Sequence, residues 1–224
     1  MRKIFDVNNA VWQFIGKLFD CLVLHVVWLV CSLPLITFGA STAALYYALM
    51  KDILDEDPHY VRAFFRSFRQ NFRQGIGLGL GFLAFGAILG FAVYYYWQAG
   101  GPIVAVLRTF AIVIAVLYVM IGQYLFAVFA RFDQKNSNLI RMAFVFSIRH
   151  FGKSLVMLLV FIGVYGIIFV LGFPPLLIMG FGLVVYLDCY VLIPVFEPYL
   201  QKIREAQDHG KDPDLWTVPE EEQP

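Results

Sequence analysis

The chain has 224 residues, 60% of them hydrophobic and only 15% charged, with a formal net charge of +1. A soluble domain carries about 25% charged residues, and at a mean hydropathy of +0.72 a water-soluble fold of this size could not hide so much apolar surface. Lipid is therefore the expected solvent for most of the chain, and the near-neutral charge predicts no nucleic-acid partner.

A membrane helix needs about 20 mostly apolar residues, and in chain order the candidate spans are 15–33, 35–54, 75–97, 109–130, 154–172 and 175–197. The basic start Met1-Arg2-Lys3 and the string GASTAA have the look of a cleaved leader. The apolar run from Leu18 to Phe38 is longer than a signal core and carries Asp20 near its start, so a retained helix is expected. Pro34 then interrupts the run. Proline lacks an amide hydrogen and cannot continue a helix normally, and broken backbone within lipid must be satisfied by protein or water. SLPLIT is read as a tight turn near the outer face, with Thr37 or Ser41 capping the returning helix. Ala40xxxAla44 and Ala44xxxAla48 follow, the pattern that lets helices touch. Lys51, Asp52 and Asp55 limit the apolar part of this second segment, so a half-crossing helix is the alternative for 35–54. The third span repeats the small-residue pattern at Gly75xxxGly79, Gly77xxxGly81 and Gly86xxxGly90. Its GLGFLA matches a dinucleotide fingerprint that has meaning only between a strand and a helix, so packing is the reading here.

Between the second and third spans, DEDPHYVRAFFRSFRQNFRQG opens with Asp57-Pro58, a good helix start. Val61, Phe64, Phe65, Phe68 and Phe72 share one face, and Arg62, Arg66, Arg69 and Arg73 another. This is the pattern of an interfacial helix, with Phe at the acyl boundary and Arg at anionic headgroups; docking of a protein partner is the alternative. NSNLIRMAFVFSIRHFGKS repeats the idea, with Ser137 or Asn138 as cap and Arg141 and Arg149 as its basic residues. Ala63, Phe64, Ser67 and Arg69 align with Ala143, Phe144, Ser147 and Arg149, and Phe72 with Phe151 after a one-residue gap. Two parallel halves are implied, each an inward helix, a surface helix and an outward helix.

Of the 17 Lys and Arg residues, only Arg108 falls outside the termini and the loops 51–73 and 131–153. Basic residues gather in cytoplasmic loops. Both termini are therefore expected in the cytoplasm, with 98–108 and 172–175 outside. Residues 1–205 read as one helical membrane domain and 206–224 as a disordered acidic cytoplasmic tail, in which Trp216 is a possible anchor for a partner.

Ionisable groups within lipid are costly and so are default site candidates. Asp20 and Glu197 lie near cytoplasmic edges, where headgroup water is within reach, whereas His25 and Asp188 lie deep in the first and sixth spans. A His25–Asp188 contact would satisfy both, either as a structural polar pair or as a polar point in a ligand or proton path. Pro194 and Pro198 bracket Glu197 and predict freed carbonyls or a bend there. Cys21, Cys31 and Cys189 form no CxxC pair. With no HExxH, GxSxG or phosphate-binding loop in the sequence, no enzyme activity, metal or cofactor is expected.

LHVVWLVCSLPLITFGASTAALYYAL resembles the signature of the YesL-like family, an integral-membrane domain of unknown function, at Trp28, Leu33, Pro34, Thr37, Gly39, Ala43, Ala44 and Tyr46. Arg131, Phe132, Asp133 and Asn138 extend the resemblance, which covers roughly residues 5–200. The resemblance implies a multi-pass protein of the bacterial cytoplasmic membrane, encoded beside carbohydrate ABC transporters, and no established active site. The expected role is a non-enzymatic accessory or regulatory subunit of carbohydrate ABC import. Its partners would be membrane lipids with anionic headgroups and ABC permease subunits. A small stand-alone transporter or channel using His25, Gln123, Asp188 and the break at Pro34 is the alternative.

Overall fold

The computed structural model describes residues 10–54, 56, 59–172 and 175–208, and among them every regular element is helical. The order is α1 (Ala10–Ser32), a 3₁₀ turn (Leu35–Thr37), α2 (Phe38–Ile53), α3 (Tyr60–Gln70), α4 (Phe72–Gln98), α5 (Pro102–Arg131), α6 (Asn136–Arg149), α7 (Phe151–Leu171) and α8 (Pro175–Asp208). The helix start expected at Asp57-Pro58 and the tail 209–224, Trp216 included, lie outside the described residues. α8 runs past the expected boundary at residue 205 and continues through both Pro194 and Pro198.

α2 is the axis of the bundle. It packs against α1, α3, α4, α5 and α8, and Gly39 to Tyr46 are all buried, as are Ala48, Leu49 and Met50. Its 16 residues span about 24 Å at a rise of 1.5 Å, short of a hydrocarbon core of about 30 Å. Among the described residues, four helices are long and apolar enough to cross a membrane: Phe72–Gln98, Pro102–Arg131, Phe151–Leu171 and Gly180–Ile203. The described stretch Phe19–Ser32 of α1 is also apolar. The protein is thus a helical membrane bundle in which α2 is shorter than the long apolar helices around it. A short helix with so few exposed residues needs neighbours on every side, and the Ala-rich sequence lets them approach.

The turn at Pro34 works differently from the expected cap. Thr37 occupies the cap position of α2 but makes no side-chain cap bond. Its hydroxyl donates backwards, to the carbonyls of Pro34 (2.7 Å) and Cys31. Ser41 donates to the carbonyls of Thr37 (2.9 Å) and Phe38 (3.0 Å) and lies 2.6 Å from the Ser32 hydroxyl. The end of α1 leaves carbonyls without helical donors, and proline supplies none, so hydroxyls are needed as donors rather than as acceptors. At α6 the expected caps also fail: the helix begins at Asn136 and has no side-chain cap bond.

α1 and α2 run antiparallel, with Lys17 Nζ donating to the Ile53 carbonyl at 3.3 Å. The same end of the molecule gathers the start of α4 and the end of α5. Gln74 there bonds the Gln134 carbonyl at 2.6 Å, and Arg131 lies 3.9 Å from Glu56. The Arg149 guanidinium sits 6.0 Å over the Tyr199 ring, which brings the end of α6 and the C-terminal half of α8 to that end too. Arg108 lies at the far end of the α4–α5 hairpin, stacked on Trp97 at 5.3 Å. That hairpin turns through Gly101, whose φ of +115° suits glycine, and Pro102 opens α5.

The order α2–α3–α4 recurs as α5–α6–α7, and in each half a single residue, Asn71 or His150, separates the shorter middle helix from the long helix that follows. Ala63 and Ala143 are equivalent in burial, as are Ser67 and Ser147. The phenylalanines are not: Phe64 is 0% exposed and Phe144 51%. The halves therefore repeat in order of elements and not in every contact.

Candidate functional site

α3 does not present all its phenylalanines to one surroundings. Phe64 is buried and Phe68 half-buried, stacked on each other at 6.2 Å, in a helix that packs on α2 and α1. Phe65 and Phe72 are exposed, and Phe72 already belongs to α4. Arg62, Arg66, Arg69 and Arg73 are all exposed. Part of the apolar face expected at the lipid boundary is thus covered by protein, while the basic face remains open. Arg141 is exposed and Arg149 half-buried on the second surface helix. Tyr60 ties α3 to α1 through a hydrogen bond to Asp20. That bond, with some burial, raises the Tyr60 hydroxyl above the usual tyrosine range. Asp20 thus meets protein, through Tyr60.

The family-signature residues gather round the Pro34 turn and α2. Leu33 and Pro34 are exposed at the turn, whereas Ala43 and Ala44 are fully buried. Trp28 donates from its ring nitrogen to the Thr42 hydroxyl at 3.1 Å and stacks on Phe181 at 4.5 Å. Gly39 meets α4 backbone to backbone: a Cβ there would lie 2.7 Å from the Gly79 Cα, and one at Gly75 would lie 2.7 Å from the Ala40 Cα. The other small pairs in α4 are not used this way. A Cβ at Gly81 or Gly90 meets nothing within 4 Å.

His25 and Asp188 are both buried, at 3% and 0% exposure, but their contacts differ from the expected pairing. The His25 ring stacks on Trp28 at 5.3 Å and packs over Gly182 of α8, where a Cβ would fall 2.7 Å from its Cγ. Asp188 lies six residues further along α8, about 9 Å at 1.5 Å per residue. Its hydrogen bonds come from Gln123 Nε2, at 3.2 Å, and from the Tyr46 hydroxyl. Gln123 Nε2 also reaches the Met157 carbonyl at 3.3 Å. One glutamine thus joins α5, α7 and α8, and one tyrosine adds α2. Sequence reading grouped Gln123 with Asp188 only as polar residues of a possible pathway and did not connect Tyr46 to them, because these contacts cross long stretches of chain.

Asp188 and Gln123 line a cavity of about 190 Å³. It lies between the α4–α5 and α7–α8 hairpins, beneath the start of α2, and is walled by Phe38, Phe82, Phe126, Phe161 and Phe181. Tyr118 closes one side, its hydroxyl donating to the Phe82 carbonyl at 2.8 Å. A buried carboxylate in an aromatic chamber can hold a proton or a positively charged group. Among the described residues, no cluster of three or more His, Cys, Asp or Glu could hold a metal ion.

Residues 21–93 match the family model described as a protein of unknown function, DUF624. The match covers the Pro34 block, which carries the resemblance to the YesL-like family, and α3. It does not reach Gln123 or Asp188. No curated protein matches the chain, and no solved structure does.

Proposed function

We propose that the chain is a non-enzymatic accessory or regulatory subunit of the bacterial cytoplasmic membrane that serves carbohydrate ABC import. In this reading its basic end and both termini face the cytoplasm. The observation that carries the reading is the wide unpaired apolar face of the α4–α5 hairpin: only 11% of the apolar window of either helix is buried within the molecule. Such faces suit lipid and the spans of a permease equally, and the exposed arginines at the cytoplasmic end add a surface for anionic headgroups or an acidic partner. The cavity at Asp188 is small and walled by aromatics, unlike a path for a hydrated sugar. The carbohydrate assignment itself comes from the family resemblance. Deleting the chain in its native cell is expected to lower uptake of labelled oligosaccharides through the ABC importer, and restoring it to recover the rate. Unchanged uptake of every sugar the cell imports would remove the assignment. The alternative, a stand-alone transporter, is favoured by the carboxylate cavity. It requires the purified chain alone to move solute in liposomes.

A further inference from the structure

The cavity at Asp188 has a chemistry that does not depend on any subunit role. Asp188 Oδ1 and Gln123 Oε1 are both buried acceptors with no hydrogen-bond partner among the described residues. Their side chains line the same chamber. A buried acceptor without a donor costs free energy, and a carboxylate costs more. A ligand that relieves both must bring donors or positive charge. The rings around it supply a second attraction, since aromatic faces draw cations, most strongly where water is excluded.

The alternatives fit less well. A hard metal ion takes about six or more oxygen ligands, and the chamber offers two uncommitted ones. A sugar needs donors and acceptors on all sides. The other hydroxyls lining the chamber already have partners: Thr42 accepts from Trp28, Tyr46 bonds Asp188 and Tyr118 donates to Phe82. The volume of about 190 Å³ equals roughly six waters at about 30 Å³ each, the scale of a compact organic ion.

We infer that this cavity binds a small organic cation bearing an ammonium group, with Asp188 as its counter-charge and the surrounding phenylalanines as its box. The full chain, purified in detergent, is titrated with choline and with 3,3-dimethyl-1-butanol, a neutral molecule of the same shape, by calorimetry and by thermal shift. Choline is expected to bind saturably and at least about tenfold tighter than the neutral analogue, a difference of about 1.4 kcal/mol. Asp188→Asn is expected to lose that preference, and Asp133→Asn, at an exposed carboxylate, to keep it. No saturable binding of choline, equal binding of the neutral analogue, or an unchanged preference in Asp188→Asn would overturn the inference. Stabilisation by glucose but not by choline would also overturn it, in favour of hydroxyl recognition. If Asp188→Asn does not fold, the comparison of the two ligands on the wild-type chain decides.

Discussion

Single atoms decide the packing at Gly39. A Cβ there collides with the backbone of α4, and backbone cannot rotate away as a side chain can. Gly39→Ala is therefore expected to destabilise the detergent-purified protein by about 1–3 kcal/mol, the usual cost of overpacking. Gly81→Ala, with open space at its Cβ, should be neutral or mildly stabilising, since alanine favours helix over glycine by about 1 kcal/mol. Equal melting temperatures for the two variants would contradict the close contact of α2 and α4. Ala44→Leu, at a residue 0% exposed, belongs with Gly39→Ala and should melt below wild type. Ala44 was legible in the sequence because small residues at four-residue spacing beside a proline have few other uses in a membrane; the same spacing marked Gly81, where the structure has open space, and did not mark Gly39. The partners of Asp188 were not legible. Its bond to Gln123 joins residues 65 apart, and nothing local to Asp188 distinguishes Gln123 or Tyr46 from His25.

At the scale of elements, α3 shows what amphipathic spacing can and cannot tell. The separation of Phe from Arg was readable, but lipid and a protein core look alike to an apolar stripe. The structure divides the stripe, with Phe64 inside and Phe65 outside. Phe64→Ala is expected to cost about 3–5 kcal/mol in thermal or denaturant unfolding, as for other buried aromatics, whereas Phe65→Ala should cost little. Similar losses would mean that α3 does not dock on α2 in this way. Replacing Arg62, Arg66, Arg69 and Arg73 together by Gln should leave the fold intact and weaken binding to anionic vesicles, with the loss shrinking at high salt. Binding that is unchanged in vesicle flotation would free this face of any lipid role. The Pro34 turn was also readable as a break; the direction of its hydrogen bonds was not, because a hydroxyl can serve as cap or as donor and only the freed carbonyls settle which.

Across the described residues a short buried helix sits among its neighbours, with the basic residues other than Arg108 gathered at one end and apolar hairpins extending from the other. The one-sided charge was legible from counting Lys and Arg along the chain. The central place of α2 was not, since its segment read as the weakest span rather than as the axis. Cysteines introduced at positions 103 and 140 should label from opposite sides of intact cells and inverted vesicles, with 140 cytoplasmic. Labelling of both from the same side would break the layout. In the proposed role these apolar hairpins serve a second membrane protein. The direct measurement is native mass spectrometry of the tagged chain purified from its own membranes in mild detergent. A complex holding this chain and an ABC permease in fixed stoichiometry is the predicted result. A monodisperse chain without a protein partner, able by itself to carry solute into liposomes, would contradict it.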